Sequence, residues 1–340
     1  MSKNYYIIPI FVPQEGCPHK CVFCNQDRIT GLKDIVTTDI VIKTIDDYLE
    51  TITNKDAIIE VSFFGGTFTA VKEEKQRAFL EIAKGYKDKG LIDKIRLSTR
   101  PDAIDDYILT YLKEYKVDII ELGVQSLDDE ILKKSGRGHY VSDVEKASSL
   151  IKQYGFVLGH QIMPGLPGDT FEKDILTTKL SIKMKPDICR IYPALVIKDT
   201  PMEKMYKLGS YIPYTLDEAV DISKSMYQLY TQNNIQVIRI GLQPTESINE
   251  GADIVSGPFH PAFRELVESS LIANLINSNV KDKERVELRI NPRDISKLYA
   301  NKKKYFNSIK NKNIIVKQDF EVSRGNLKLI TKEENINIAY

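Results

Sequence analysis

Between residues 5 and 245 short β-rich runs alternate with longer helical patterns, and that alternation leaves few folds open. The candidate strands are Tyr5–Phe11, Ile58–Phe64, Ile95–Thr99, Ile119–Gly123, Phe156–Ile162, Ile188–Tyr192 and, more faintly, Gln236–Ile240. Helical spacing fills the gaps: Ile42, Ile45 and Leu49 mark Ile40–Leu49, and Phe79, Leu80, Ala83 and Tyr86 mark Gln76–Tyr86. Further helices are expected over Asp105–Lys113, Ser142–Gln153, Phe171–Ile182 and Leu216–Tyr230. Six or seven βα units in a row build a parallel α/β sheet with right-handed crossovers, either doubly wound or a full or partial barrel.

The residues just past the strand ends favour the barrel. The cysteine run comes after the first strand, Gly65-Gly66-Thr67 after the second, Arg100-Pro101 after the third, Gln125 after the fourth and Met163-Pro164-Gly165 after the fifth. Barrel enzymes feed one catalytic face from many strand ends, whereas an open sheet gathers its ligand at a single switch point. The expected class is therefore α/β: a partial (β/α)6-type TIM barrel over residues 1–245, with a small α+β C-terminal appendage over 246–340. Glu246–His260 reads as a linker or lid, followed by a helix over Pro261–Ile276 and strands at Val286–Ile290, Ile314–Val316 and Leu327–Ile330.

Cys17, Cys21 and Cys24 form Cys-x3-Cys-x2-Cys and use three of the four cysteines in the chain. Three thiolates can hold three irons of a [4Fe–4S] cluster and leave the fourth open to a small molecule. A structural zinc site wants four protein ligands, and His19 inside the run makes a cramped Cys3His site the competing reading. Gly16 and Pro18 let the loop turn tightly, and the Phe23 ring is placed to shield a cluster or contact a purine. Cys189, in an apolar segment, reads as a core thiol.

Composition excludes little: 42% hydrophobic and 28% charged residues are ordinary for a soluble globular protein. No run approaches a membrane span and the N-terminus lacks a signal-peptide pattern, so a cytoplasmic protein without membrane contact is expected. In a reducing compartment clustered cysteines point to metal rather than disulfides. The net charge of +1 is unevenly spread, because residues 281–340 hold 15 Lys/Arg and 8 Asp/Glu. That tail suits a polyanionic partner or is simply a solvated lysine-rich surface.

The remaining motifs each have a plain reading beside the functional one. Gly65-Gly66-Thr67 is either an ordinary βα turn or a loop offering backbone N–H groups to an anion. Gln125 is a ligand contact or a packed strand end, with Ser126 or Asp128 capping the next helix. Arg137, in Gly136-Arg137-Gly138-His139, meets a carboxylate or sits on the surface. His139 and His160 read as hydrogen-bonded structural histidines, and Met163–Gly168 as a rigid loop presenting backbone groups.

Together these residues resemble the radical S-adenosylmethionine superfamily, whose Cys-x3-Cys-x-aromatic-Cys pattern is met by Cys17, Cys21, Phe23 and Cys24. Within it the chain is similar to the radical domain of the Elongator catalytic subunit and its bacterial relatives, through FFGGTFT, STRPD, ELGVQS, GRGH, MPGLPG and YPALVIKDT over roughly residues 5–215. The resemblance implies a [4Fe–4S] cluster on the three cysteines and S-adenosylmethionine chelated to its open iron. It implies cofactor contacts from Phe23, Gly65, Gly66, Thr67, Gln125, Arg137 and Met163. Ser98 stands about where several relatives carry an acidic ribose contact, a departure from the pattern. The implied reaction is reductive cleavage to a 5′-deoxyadenosyl radical, fed by a one-electron donor such as flavodoxin or ferredoxin and directed at an RNA, best a tRNA.

No acyl-CoA loop like that of the Elongator acetyltransferase domain follows residue 245, so that part of the chemistry does not carry over. The competing functions are a radical enzyme acting on a small molecule, like oxygen-independent coproporphyrinogen oxidase, and a non-catalytic metal-binding protein.

Overall fold

A computed structural model describes residues 4–13, 15–26, 28, 35–245, 248–249, 251–281 and 284–340. Seven strands lie side by side in one parallel sheet: β1 (Tyr5–Val12), β2 (Ile58–Gly65), β3 (Lys94–Thr99), β4 (Ile119–Gln125), β5 (Val157–Ile162), β6 (Ile188–Ile191) and β8 (Gln236–Ile240). Between β6 and β8 comes the two-residue strand β7 (Val196–Ile197). Helices α1 (Thr38–Thr51), α2 (Glu73–Asp88), α3 (Asp106–Glu114), α4 (Asp129–Lys134), α5 (Val141–Gln153), α6 (Phe171–Lys183), α7 (Pro201–Lys207) and α8 (Leu216–Gln232) fill the crossovers. Short polar side chains start several of them: Thr37, Asp105, Asp128 and Thr170 each accept a first-turn backbone N–H.

Period two along the strands divides the sheet into two faces. One face carries Ile8, Ile10, Val61, Phe63, Ile95, Leu97, Ile120, Leu122, Leu158 and Ile191, nearly all without solvent exposure under the helices. The other carries Phe11, Phe64, Ser98, Gln161, Arg190 and Arg239, which are only half-buried. Along a flat sheet β2 and β6 would stand roughly 19 Å apart, four spacings of about 4.8 Å. The Arg190 guanidinium nevertheless lies 5.3 Å from the Phe64 ring centroid, so the sheet curls round a lumen. The expected partial barrel is present, with seven strands.

Chain contacts divide the protein into two units, residues 1–215 with 226–259 and residues 216–225 with 260–340. The first unit runs past residue 245 because strand β9 (Ile254–Ser256), in the segment read as a linker or lid, pairs antiparallel with β7. Glu246 and Glu250 of that segment lie outside the described residues. In the second unit β10 (Val286–Ile290), β11 (Ile314–Gln318), β12 (Asn326–Ile330) and β13 (Asn335–Ala339) form a sheet ordered β11-β10-β12-β13. Helix α9 (Phe263–Asn279) contributes Ile272 and Ile276 to a core with Val286, Leu288, Ile290, Leu327 and Leu329. β13 was not expected from sequence: Asn335-Ile336-Asn337-Ile338 alternates too briefly and without turn signals.

Candidate active site at the strand ends

Cys17, Cys21 and Cys24 sit on the loop leaving β1, and none is in a disulfide. The loop is pinned by its neighbours. Thr67 donates its backbone N–H to the Glu15 carbonyl at 3.0 Å, and Val22 donates to Ser135 at 3.0 Å. Met202 donates to Val22 at 2.9 Å. Gly16 is required by both backbone and space: its φ is +74°, and a Cβ would fall 2.3 Å from the Thr67 carbonyl oxygen. Phe23 is buried with Cys21, Leu166, Val196, Met202 and Tyr211 in an apolar cluster.

The sulfurs have polar neighbours, Gln26 among them beside Cys24. Cys17 Sγ lies 3.4 Å from Thr67 Oγ1, and Arg137 Nη1 donates to Cys21 Sγ at 3.3 Å. Burial, then the charges of Cys21 and Cys17, push the Cys24 thiol up to about 12. Three thiolates held this close therefore ask for a cation among them. Among the described residues, no three His, Cys, Asp or Glu side chains converge on a point that one metal ion would fill. A cluster does not ask for that convergence, since each thiolate binds its own iron. The His19 ring lies against Gly138, where a Cβ would approach it to 2.3 Å.

Arg137 is buried, as are Gln125 and Thr67, so the structure gathers these three with the cysteines at the strand ends. Arg137 Nη2 donates to the Gly123 carbonyl at 2.5 Å, which fixes the guanidinium and leaves Nε without a partner. The bidentate arginine is Arg100: it grips Asp102 at 2.9 and 2.8 Å and donates to the Arg137 carbonyl at 2.5 Å. Gln125 is left-handed, with φ +67°, at a register shift between β4 and β5. A non-glycine residue held there marks stored strain, which clusters at functional sites. Gln125 Oε1 and Arg137 Nε are buried without a hydrogen-bond partner. A Cβ on Gly123 would stand 3.1 Å from Gln125 Nε2 and 3.2 Å from Arg137 Nη2, so a glycine keeps this cradle open.

The loop after β2 does not offer its N–H groups to an anion, the second of the two readings its residues allowed. Gly66 N–H is spent on the Val12 carbonyl at 2.8 Å and Thr67 N–H on Glu15. Gly66 has no room for a side chain, since a Cβ would meet the Glu15 oxygen at 2.1 Å. With those donors used, the loop is better suited to accept from an ammonium than to bind an anion. Met163 is half-buried, and its N–H donates to the Gln125 carbonyl at 2.8 Å.

Below this rim the lumen holds a charged network that sequence reading missed. Arg96 donates to Glu60 at 2.8 Å and to Glu121, while Tyr5 also donates to Glu60. Arg190 donates to Glu121 at 3.0 Å and to the Tyr192 hydroxyl at 3.1 Å, and Gln161 donates to Glu121 at 3.0 Å. Burial opposes the Glu121 charge, but Arg190 and Arg96 together hold its carboxyl below the usual carboxylate range. Ser98 lies 3.5 Å from Glu121, so an acid does stand beside this position, but it is committed to arginines. The available signal was charge inside apolar strand runs: IIEVSFF, KIRLST, IIELG and ICRI.

The histidines divide. His160 is fully buried between Ser148 at 3.0 Å and Ser181 at 2.8 Å, and burial lowers it to about 3. His139 is lowered to about 3 by burial and then by the Arg137 and Arg100 charges, and neither ring nitrogen has a hydrogen-bond partner. A cavity of about 470 Å³ beside it is lined by His19, Lys133, Gly138 and Tyr140. Cys189 is wholly buried, which pushes its thiol up to about 12, as suits a core cysteine.

Comparison with known proteins places the chain in a family. Residues 11–178 match the Radical SAM superfamily model and residues 186–273 the Radical SAM C-terminal domain. The chain is 30% identical to a tRNA uridine(34) acetyltransferase of Methanocaldococcus jannaschii, over 64% of this chain and 47% of that one. It is 34% identical to an uncharacterised protein of the same organism, over 65% of this chain and 70% of the relative. The structure of the archaeal Methanocaldococcus infernus Elp3 with an N-terminal deletion superposes with a TM-score of 0.63 at 23% identity. That match covers 85% of this chain and 71% of that one. The chain spans about half the length of the curated acetyltransferase relatives it matches. Among the described residues no helix is long and apolar enough to cross a membrane.

Proposed function

The chain belongs to the radical S-adenosylmethionine superfamily, and from that premise we propose that it cleaves S-adenosylmethionine reductively and uses the resulting radical to modify an RNA, best a tRNA. The observation that carries the cofactor half is the pairing of three cysteines on one loop with two unpartnered polar atoms, Gln125 Oε1 and Arg137 Nε, over the open cradle at Gly123. The RNA half is supported by a relative named for tRNA uridine-34 and by the basic tail.

In this reading Cys17, Cys21 and Cys24 hold three irons of a [4Fe–4S] cluster. When bound, the chemistry it supplies is one electron to S-adenosylmethionine, whose carbon–sulfur bond breaks to give methionine and a 5′-deoxyadenosyl radical. The protein's part is binding and exclusion. Arg137, through its unpartnered Nε, would hold the methionyl carboxylate by a charge-assisted hydrogen bond. Carbonyls of Gly65 and Gly66 would accept from the amine, and Gln125 Oε1, unpartnered here, would accept from the amine or a ribose hydroxyl. Arg100 positions Arg137 through its carbonyl. Phe11, Phe64 and Met163 line the mouth of the lumen and keep water from a reactive intermediate. The electron comes from a reduced flavodoxin or ferredoxin.

Anaerobic reconstitution with iron, sulfide, dithionite and S-adenosylmethionine is expected to release 5′-deoxyadenosine and methionine. Cys21→Ala is expected to lose both cluster absorbance and product. A fully loaded cluster that yields no 5′-deoxyadenosine refutes the cofactor reading. Bulk tRNA from cells lacking the gene is then incubated with the enzyme and digested to nucleosides for mass spectrometry. A changed nucleoside is expected; product formation with no change in any RNA leaves the small-molecule substrate as the answer.

A further inference from the structure

Residues 295–318 carry seven lysines and no aspartate or glutamate. All of these residues lie in the second unit. Lys302, Lys303, Lys304, Lys310, Lys312 and Lys317 are exposed. Three of the seven lysines are neutralised inside that unit. Lys297 pairs with Glu268 at 3.2 Å, Lys304 with Asp217, and Lys317 with Glu287 at 2.6 Å. Among the described residues Lys302, Lys303, Lys310 and Lys312 enter no ion pair. Four like charges left uncompensated in one short stretch repel one another unless something outside the chain neutralises them.

The backbone reinforces this reading. Asn301, Lys302 and Lys303 are successive left-handed residues, with φ of 48°, 52° and 66°. L-residues avoid that region even singly. The turn projects Lys302 into solvent and sets Lys303 4.4 Å from the Tyr299 ring centroid. Lys312 ties the next bend by donating to the Asn307 and Ile309 carbonyls, both at 2.6 Å. Lys297 and Lys304 lie in short helices, Lys302 and Lys303 on the left-handed turn, Lys310 and Lys312 on a loop and Lys317 on the sheet-edge strand β11. No long amphipathic helix of the kind that buries in a lipid surface gathers them. Aromatic surface lies in the same part of the chain: Phe320, two residues past β11, is 76% exposed, and Tyr305 is half-buried. Uncompensated lysines with an exposed ring suit a phosphate backbone carrying unstacked bases.

We propose that residues 295–318, with Phe320, form an RNA-docking surface of the second unit, its lysines contacting phosphates and its ring contacting a base. The proposal rests on the RNA half of the function above. It assigns RNA capture to residues that neither matched family model covers past residue 273.

The test uses the full-length protein and bulk tRNA, with affinity measured by filter binding between about 50 and 200 mM salt. Lys302→Gln, Lys303→Gln and Lys310→Gln are combined, sparing Lys312 because it ties carbonyls. Each lost phosphate contact lowers the slope of log affinity against log salt by about 0.7–0.9, so the triple variant is expected to lose about 2.1–2.7. Its affinity at low salt should fall tenfold or more, and the matching triple arginine variant should bind like the wild type. 5′-Deoxyadenosine formation without RNA is read in parallel and should be equal in all three proteins.

If the glutamine variant binds tRNA as the wild type does, the docking surface is wrong while the proposed function stands. A wild type that binds anionic vesicles or an acidic protein but no tRNA, or binds no polyanion at all, overturns the docking surface and the RNA half together. In those cases the 5′-deoxyadenosine assay still reports on the cofactor half.

Discussion

The rim and the floor of the barrel treat their polar atoms in opposite ways. At the floor, Glu60, Arg96, Glu121 and Arg190 answer one another, and Tyr5, Gln161 and Tyr192 take up further donors and lone pairs. Arg96 Nε, at a poor angle for a hydrogen bond, still lies 2.7 Å from Glu60 as an ion pair. At the rim, Gln125 Oε1 and Arg137 Nε are buried and unanswered, and Gln125 is held left-handed. Each unmade buried hydrogen bond costs about 1–3 kcal/mol, and the strained backbone costs about as much again. The same barrel therefore holds charge that is compensated internally and polarity that is not, which under the proposed function is reserved for a ligand. Fully buried polar atoms occur in both places, so burial does not distinguish them. Satisfaction does.

The most severe challenge to that contrast is Glu121→Gln, which keeps the shape and removes the charge that two arginines share. Leaving buried charge uncompensated costs about 3–5 kcal/mol, and the apoprotein should melt far lower than the wild type. A melting temperature within a degree or two of wild type would show that the floor is not structural. The rim should respond in the opposite sense to Gln125→Gly. Glycine adopts φ +67° without strain, so stability should stay level or rise by up to about 1 kcal/mol. S-adenosylmethionine binding to the reconstituted protein, followed by equilibrium dialysis, should weaken about tenfold through loss of the side-chain contact. Lower stability with unchanged binding would move Gln125 from the rim's category to the floor's.

These two layers also differ in how far sequence alone discloses them. The seven strands and six of the helices between them follow from periods of two and 3.6, with ends that moved by only a few residues. The short helices α4 and α7 hold too few turns to show a period and were not among the expected spans. Cys17, Cys21 and Cys24 were visible because their spacing is fixed within one loop. The floor was not, because Arg96 reaches Glu60 and Glu121 only through the register of β2, β3 and β4. In sequence those residues are isolated charges in apolar runs. The left-handed turn at Gln125 depends on a register shift that no local residue announces, and the β7–β9 pair joins segments more than fifty residues apart. The anion reading of Gly65-Gly66-Thr67 failed because the partners of its N–H groups, on the cysteine loop and at the end of β1, are not adjacent in sequence.

A third arrangement, where the loop after β5 runs into the first turn of α6, refines the contrast because burial and a second carboxyl favour a proton on Asp174 where the floor uses arginines. Asp174 is almost fully buried, accepts from the Tyr214 hydroxyl at 2.9 Å and lies against Asp169. Burial first, then the neighbouring Asp169 charge, push Asp174 up to about 10, and burial also raises Asp169, with Asp128 adding to it. An acid whose folded pKa exceeds its unfolded value binds more protons folded than unfolded. The stability it contributes is full below about pH 4 and is lost as pH rises toward about 10. The slope is at most about 1.4 kcal/mol per pH unit for one proton. Asp174→Asn supplies a permanently neutral amide that can still accept from Tyr214. The variant should therefore melt with a flatter pH dependence between pH 6 and 9 and be the more stable protein at the alkaline end. Parallel melting curves across that range would instead place Asp174 with the unanswered atoms of the rim, and the division into satisfied and reserved polarity would have to be redrawn at this loop.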